Sequence, residues 1–250
     1  MSGHSKWAQI KRQKGVNDAR RGQLFTKLGR EISVAAREGG ADPDGNFRLR
    51  LAIQHARENN MPMDNVERAI KRGTGGGEGG ANFEEVTYEG YGPGGTALMV
   101  RALTDNRNRT VSDVRSVFTR GGGNLGESGC VAWIFDARGV ISVPLDGKDA
   151  DELTLEAIDA GADDVVGEED VLVVYTAPQD LEKVRQALQS KHIPLSDAEQ
   201  TMVPKTTVEL DDRTGEQLYR LIERLEDLDD TQAVYSNSIL SDAVAEKMAG

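Results

Sequence analysis

Apolar positions recur every three or four residues through the first third of the chain, then give way to short continuous or alternating runs. From Ala19 to Arg37, Leu24, Phe25, Leu28, Ile32, Ala35 and Ala36 fall on one helical arc of about 120°. Gly39-Gly40 with Pro43 and Gly45 makes a turn, and Asn46 is placed to cap a second helix with Leu49, Ala52, Ile53 and Ala56 inward. Asn59-Asn60-Met61-Pro62 ends it. A third helix runs from about Asp64, with Val66, Ala69 and Ile70 inward and Gly73 as its stop. Three short amphipathic helices can bury one another's faces, so residues 1–73 are expected to form a helical domain.

Six glycines in the eight residues Gly73 to Gly80 predict a flexible linker over 74–82. It is not a phosphate loop, because no strand precedes it and no Gly-Lys-Ser/Thr follows. Such a linker would let the helical domain swing. Strand signals begin at Phe83 to Tyr88, and the apolar run Thr96 to Thr104 predicts a central strand. Thr110 with Asp113 resembles a capping box opening a helix with Val111, Val114, Val117 and Phe118 inward. Gly121-Gly122-Gly123 stops it, and Cys130 to Phe135 is expected as the next strand.

From Gly139 the order is strand (140–143), helix (153–160), strand (164–166), strand (171–175), helix (181–188), strand (within 196–203). That is the split βαββαβ pattern of ferredoxin-like domains. The remainder is a strand over 206–210, a helix over 214–225 and a strand over 232–235, and this set cannot bury a sheet face alone. It is expected to return and pair with residues 83–135. The predicted fold is therefore α+β in three domains: the N-terminal helical bundle, a discontinuous α/β middle domain of residues 83–136 plus 205–240, and an inserted ferredoxin-like domain over 137–204. Residues 241–250 are a C-terminal tail.

Charge changes this picture. In the first 37 residues nine Lys or Arg stand against two acids, a net charge of +7, so the chain total of −12 leaves −19 for the other 213 residues. One end is suited to an anionic surface that would repel the rest, and nucleic acid is the default anion. Lys6, Lys11, Arg12 and Lys14 lie ahead of the first helix, and Arg21 lies within it. Arg20, Lys27, Arg30 and Arg37 share one arc of it, about 100° wide. Trp7, between Lys6 and Lys11, can stack on a base or staple the arm to the domain. A second basic stretch, net +3 over residues 101–120, places Arg107 and Arg109 before a predicted helix N-terminus, where backbone N–H groups favour anions. The competing account of these arginines is pairing with the body's carboxylates. Gly122 to Gly129 is expected as a mobile loop that can lie beside this stretch.

Catalytic and cofactor chemistry finds no residues to carry it. His4, His55 and His192 are scattered without partners at metal-ligand spacing, and no nucleophile elbow, Walker loop or dinucleotide fingerprint is present. The eleven acids between Asp146 and Asp170, and the run Glu226-Asp227-Leu228-Asp229-Asp230, are expected as solvated faces. No cofactor, metal or small-molecule substrate is expected. Cys130 has no disulfide partner and is expected as a buried structural thiol, which fits a reducing compartment. No apolar run approaches the roughly 20 residues that cross a bilayer, so a cytoplasmic protein without membrane partners is expected.

The chain resembles the YebC family, whose members include a mitochondrial translational activator of cytochrome oxidase subunit I. The resemblance spans essentially the whole chain. It rests on Gly3-His4-Ser5-Lys6-Trp7, on Arg21-Gly22 through Phe25-Thr26-Lys27-Leu28, on Asn60-Met61-Pro62 with Glu67-Arg68-Ala69-Ile70-Lys71, and on Tyr88 to Gly95. Thr104-Asp105-Asn106-Arg107-Asn108-Arg109-Thr110, Gly126-Glu127-Ser128-Gly129 and Val203-Pro204-Lys205 complete it. One departure is Arg12-Gln13, where relatives more often carry a further basic residue. The resemblance implies a cytoplasmic, non-enzymatic nucleic-acid-binding regulator, acting on promoter DNA as a transcription regulator or on ribosomal RNA as a ribosome-associated translation factor that relieves stalling. A protein-interaction adaptor is the reading from a different class, and an enzyme built on Asp105, Arg107 and Arg109 is the least supported.

Overall fold

The computed structural model describes residues 18–75, 83–168 and 170–249. Helices α1 (Asp18–Gly39), α2 (Phe47–Glu58) and α3 (Met63–Gly73) pack through Ile32, Ala35, Leu49, Ile53, Ala56 and Val66, with Phe25, Leu28 and Ile70 at the margin. Asn46 ties the first two together. Its Oδ1 accepts from the Leu49 amide at 3.1 Å, while its Nδ2 donates to the Ala35 and Gly40 carbonyls at 2.7 and 2.9 Å. Helix α3 crosses α1 closely because Gly73 has no side chain; a Cβ there would lie 2.2 Å from the Ser33 carbonyl oxygen.

The chain then forms β1 (Glu84–Tyr91), β2 (Ala97–Thr104), α4 (Arg107–Arg120) and the short β3 (Asn124–Leu125). Two expectations fail here. Helix α4 starts four residues earlier than the Thr110 capping box predicted, because Asn106 is the cap and its Oδ1 accepts from the Arg109 amide at 3.1 Å. Only Phe135 of the run Cys130 to Phe135 is strand: residues 130–134 bend and make one 3-10 turn over Ala132–Ile134. The amides of Val131 and Ala132 bond the Glu89 carboxylate, so they cannot join a ladder.

Residues 134–206 form one compact unit. It contains β4 (Phe135–Pro144), α5 (Ala150–Asp159), β5 (Asp164–Glu168), β6 (Val171–Thr176), α6 (Leu181–Ser190) and β7 (Asp197–Pro204). The strands make one antiparallel sheet in the order β5-β6-β4-β7, with Ile141 opposite both Val174 and Ala198. This strand order is that of the split βαββαβ motif. Gly139 lets α6 approach, since a Cβ there would stand 2.9 Å from that of Leu181.

After this unit come β8 (Val208–Glu209), α7 (Asp212–Glu226), β9 (Thr231–Ser236), β10 (Ser238–Ile239) and α8 (Asp242–Ala249). The returning strand beside β2 is β9, with Val100 opposite Val234, which gives the antiparallel order β3-β1-β2-β9. Residues 206–210 do not join that sheet; β8 pairs in parallel with β10. Helices α4 and α7 cover one sheet face through Tyr88, Leu98, Val114, Phe118, Leu218 and Leu221. Val34 of α1 meets Phe83 and Leu103 in a smaller cluster at the other face. Helices α1–α3 and this sheet belong to one compact unit, not to two parts joined only by a linker.

Candidate nucleic-acid interface

Helix α1 is amphipathic twice over, and its basic arc has a partner inside the chain. Lys27 Nζ donates to the Glu226 carbonyl at the end of α7, where the helix dipole is negative. Arg30 donates to the Asp229 carbonyl at 2.5 Å and to Asp230 Oδ1 at 2.7 Å, with its guanidinium 5.2 Å from the centre of the Phe83 ring. Arg37 reaches the Phe83 carbonyl at 2.5 Å. The described part of the stripe is thus the seam between helices and sheet.

Asp230 is the centre of that seam and is only 6 % exposed. Its Oδ2 accepts from Arg109 at 2.8 Å and from the Thr110 hydroxyl at 2.6 Å. Burial pushes its carboxyl pKa up, but the Thr110 and Arg109 hydrogen bonds and the charge of Arg30 outweigh this, and it sits below the usual range. The run Glu226 to Asp230 is therefore not wholly a solvated face. Its last residue is buried because it immediately precedes a strand that enters the sheet, and its own carbonyl accepts from the Leu103 amide at 2.8 Å. A second bridge joins the same parts: Arg48 contacts Glu31, Glu38 and Glu85 at 2.7–2.9 Å.

The structure brings Arg30 and Arg109 together on one carboxylate. Arg107 stands apart, paired with Glu84 at 2.6 Å with both side chains exposed. Arg21 is exposed on the first half of α1. Lys6, Trp7, Lys11, Arg12 and Lys14 lie outside the described residues, as does the side chain of Arg20.

The loop after β3 is anchored at the opposite end of the sheet. Glu89, 5 % exposed, accepts from the amides of Gly129, Val131 and Ala132 at 2.7–2.8 Å. Burial pushes its pKa up, and the three amides outweigh burial and hold it below the ordinary carboxylate range. Sequence reasoning missed Glu89, which sits in an exposed-looking Tyr-Glu-Gly context and whose partners lie forty residues on. The Cys130 carbonyl accepts from Tyr91 Oη and Trp133 Nε1, each at 3.1 Å. Cys130 itself is half-buried, with its thiol pKa pushed up by burial and by the Glu89 charge. Among the described residues no group of three or more His, Cys, Asp or Glu side chains is placed to hold a metal, and no helix is long and apolar enough to cross a membrane.

Two family models match the chain. One described as the TACO1/YebC protein N-terminal domain matches residues 5–76, and one described as the TACO1/YebC second and third domain matches residues 83–238. A "probable transcriptional regulatory protein" of Dehalococcoides mccartyi is 57% identical over 99% of this chain and 98% of its own. One of Herpetosiphon aurantiacus is 58% identical over 100% of this chain and 99% of its own. The crystal structure of a conserved hypothetical protein from Aquifex aeolicus superposes with a TM-score of 0.80 at 50% identity, covering 90% of this chain and 93% of that one.

Proposed function

Since the chain belongs to the TACO1/YebC family, we propose that it is a non-enzymatic, cytoplasmic nucleic-acid-binding regulator of gene expression. The observation that carries this is the segregation of charge: +7 in the first 37 residues against −19 in the rest. The names of its relatives point the same way. Phosphate contact falls to Lys6, Lys11, Arg12, Lys14, Arg20 and Arg21, with Trp7 among them. Lys27, Arg30 and Arg109 hold the helices against the sheet and so fix where that arm emerges. Arg107 can exchange Glu84 for a phosphate at little cost, since an exposed ion pair is worth at most about 1 kcal/mol.

The docking of α1 favours RNA over a duplex-DNA operator as target. Lys27, Arg30 and Arg37 bond the chain's own carbonyls and Asp230, so this helix cannot lie in a major groove without undocking. An arm that follows phosphates over a folded RNA, including ribosomal RNA, needs no such step. That supports the ribosome-associated translation factor as the second reading beside the transcription regulator.

The test is salt dependence. With about five phosphates neutralised, log K should fall against log salt with a slope of about −4.5 on duplex DNA and about −3.5 on single strands. Replacing Lys11, Arg12 and Lys14 by Ala should reduce the slope by about 2–3. An affinity insensitive to salt would remove the proposal. A protein partner that survives complete nuclease digestion in a pulldown, with no nucleic acid bound, would establish the adaptor instead.

A further inference from the structure

We propose that Tyr91 and Trp133 form a preorganised stacking platform for an unpaired nucleobase, a contact separate from the basic arm. The proposal rests on the nucleic-acid reading above and deepens it by specifying single-stranded segments.

Trp133 is 66% exposed and Tyr91 40% exposed. Exposing a ring of this size forgoes about 25 cal/mol for each Å² left in water, and the chain does so while holding both rings firmly. Their polar tips bond one acceptor, the Cys130 carbonyl, each at 3.1 Å, so the tips lie within about 6 Å of each other. The segment that carries this carbonyl is fixed in turn by the three amide bonds to Glu89 and by buried Val131. With the phenol O–H and indole N–H already committed, the remaining binding capacity of the pair is its aromatic faces. A flat, π-faced ligand suits such a surface, and a platform fixed in advance loses little conformational entropy on binding.

Size separates a base from a protein partner. The neighbouring loop residues Glu127, Ser128 and Gly129 are exposed and carry no large apolar side chain. The other exposed large hydrophobics among the described residues, Met63, Leu155 and Ile158, lie on α3 and α5. Two rings fall far short of the roughly 800 Å² per side of a stable protein interface, but stacking one or two bases needs no more than two rings.

The experiment measures affinity of the full chain for a labelled uridine homopolymer of about 15 nucleotides, its deoxythymidine counterpart, and a duplex RNA of the same length. Trp133→Ala should weaken both single strands about tenfold or more and leave the duplex within about twofold. Trp133→Phe, which keeps a ring, should retain most of the affinity. In the wild-type chain, a 4-thiouridine strand should crosslink to Trp133 or Tyr91 on peptide mapping; this holds the test even if the Ala variant unfolds. Unchanged single-strand affinity in Trp133→Ala, or crosslinks confined to the basic arm, would overturn the platform while the wild-type chain still binds and the regulator reading stands. If the wild-type chain binds none of the three probes, both fall. If Trp133→Ala loses a nuclease-resistant protein partner and keeps its RNA affinity, the pair is a protein contact and the proposal is overturned.

Discussion

Arg30 and Asp230 stand 200 residues apart in the chain and meet at 2.7 Å, the guanidinium from a helix of the N-terminal segment and the carboxylate from the loop that enters the last strand of the sheet. A carboxylate this buried is tolerable only with its partners in place. Asp230→Asn removes the charge that Arg30 and Arg109 share and should destabilise the chain by about 3 kcal/mol. Arg30→Met should cost less, because Arg109 and Thr110 remain. A double-mutant cycle by urea denaturation should give a coupling of about 1–3 kcal/mol; additive losses would show that the pair is incidental.

Loss of this contact should also be felt locally. In Arg30→Met, amide exchange in α1 and α3 should speed up relative to β1 and β2, because the seam joins the two through the Arg30–Asp230 pair and the small cluster of Val34, Phe83 and Leu103. Uniform acceleration across both parts would mean that the seam is not a separable boundary.

Acid should act through two carboxylates. Asp230 and Glu89 both titrate below their ordinary values in the folded chain, whereas unfolded they titrate near about 3.9 and 4.3. Below about pH 5 the unfolded chain therefore takes up protons first, and stability falls as pH falls, until the folded groups are protonated too. The urea midpoint should be flat near neutrality and decline below about pH 5. Glu89→Gln should make that decline shallower, and an unchanged slope would count against Glu89 as a contributor.

Glu89→Gln also offers a direct view of the loop. The amide end replaces one acceptor oxygen with a donor that faces backbone N–H groups. Exchange protection at Gly129, Val131 and Ala132 should drop, with the helical segment unaffected, and Trp133 emission should shift as its tether loosens.

Gly73→Ala tests the helix crossing. The added Cβ would lie 2.2 Å from the Ser33 carbonyl, which backbone cannot relieve without separating α1 from α3. A loss of about 2–3 kcal/mol is expected by thermal or urea unfolding, against a small gain if the site were open.

Much of the fold could be read from spacing. The 3.6-residue period of Leu49, Ala52, Ile53 and Ala56 and the continuous run ending at Thr104 are local signals, and Asn46 announced its own cap. Residues 130–134 misled because their apolar pattern suits a strand, while the decisive partner, Glu89, is remote in sequence. Asp230 misled for the same reason, hidden at the end of an acidic run whose other members are more exposed. The basic arc of α1 was legible as an arc but not as a seam: periodicity gives a direction on a helix and does not say what stands opposite.

The placement of β9 has a consequence for biosynthesis. Strand β2 lies at the middle of its sheet, yet its β9 neighbour follows it by roughly 130 residues, a delay of about 6–26 s at common elongation rates. Residues 134–206 emerge within that interval, and their first and last strands pair with each other, Phe135 opposite Pro204. A self-closing module is thereby completed while one flank of β2 still has unsatisfied hydrogen-bonding groups. The nascent chain thus passes through a stage with an open strand edge, where chaperones or premature association would act.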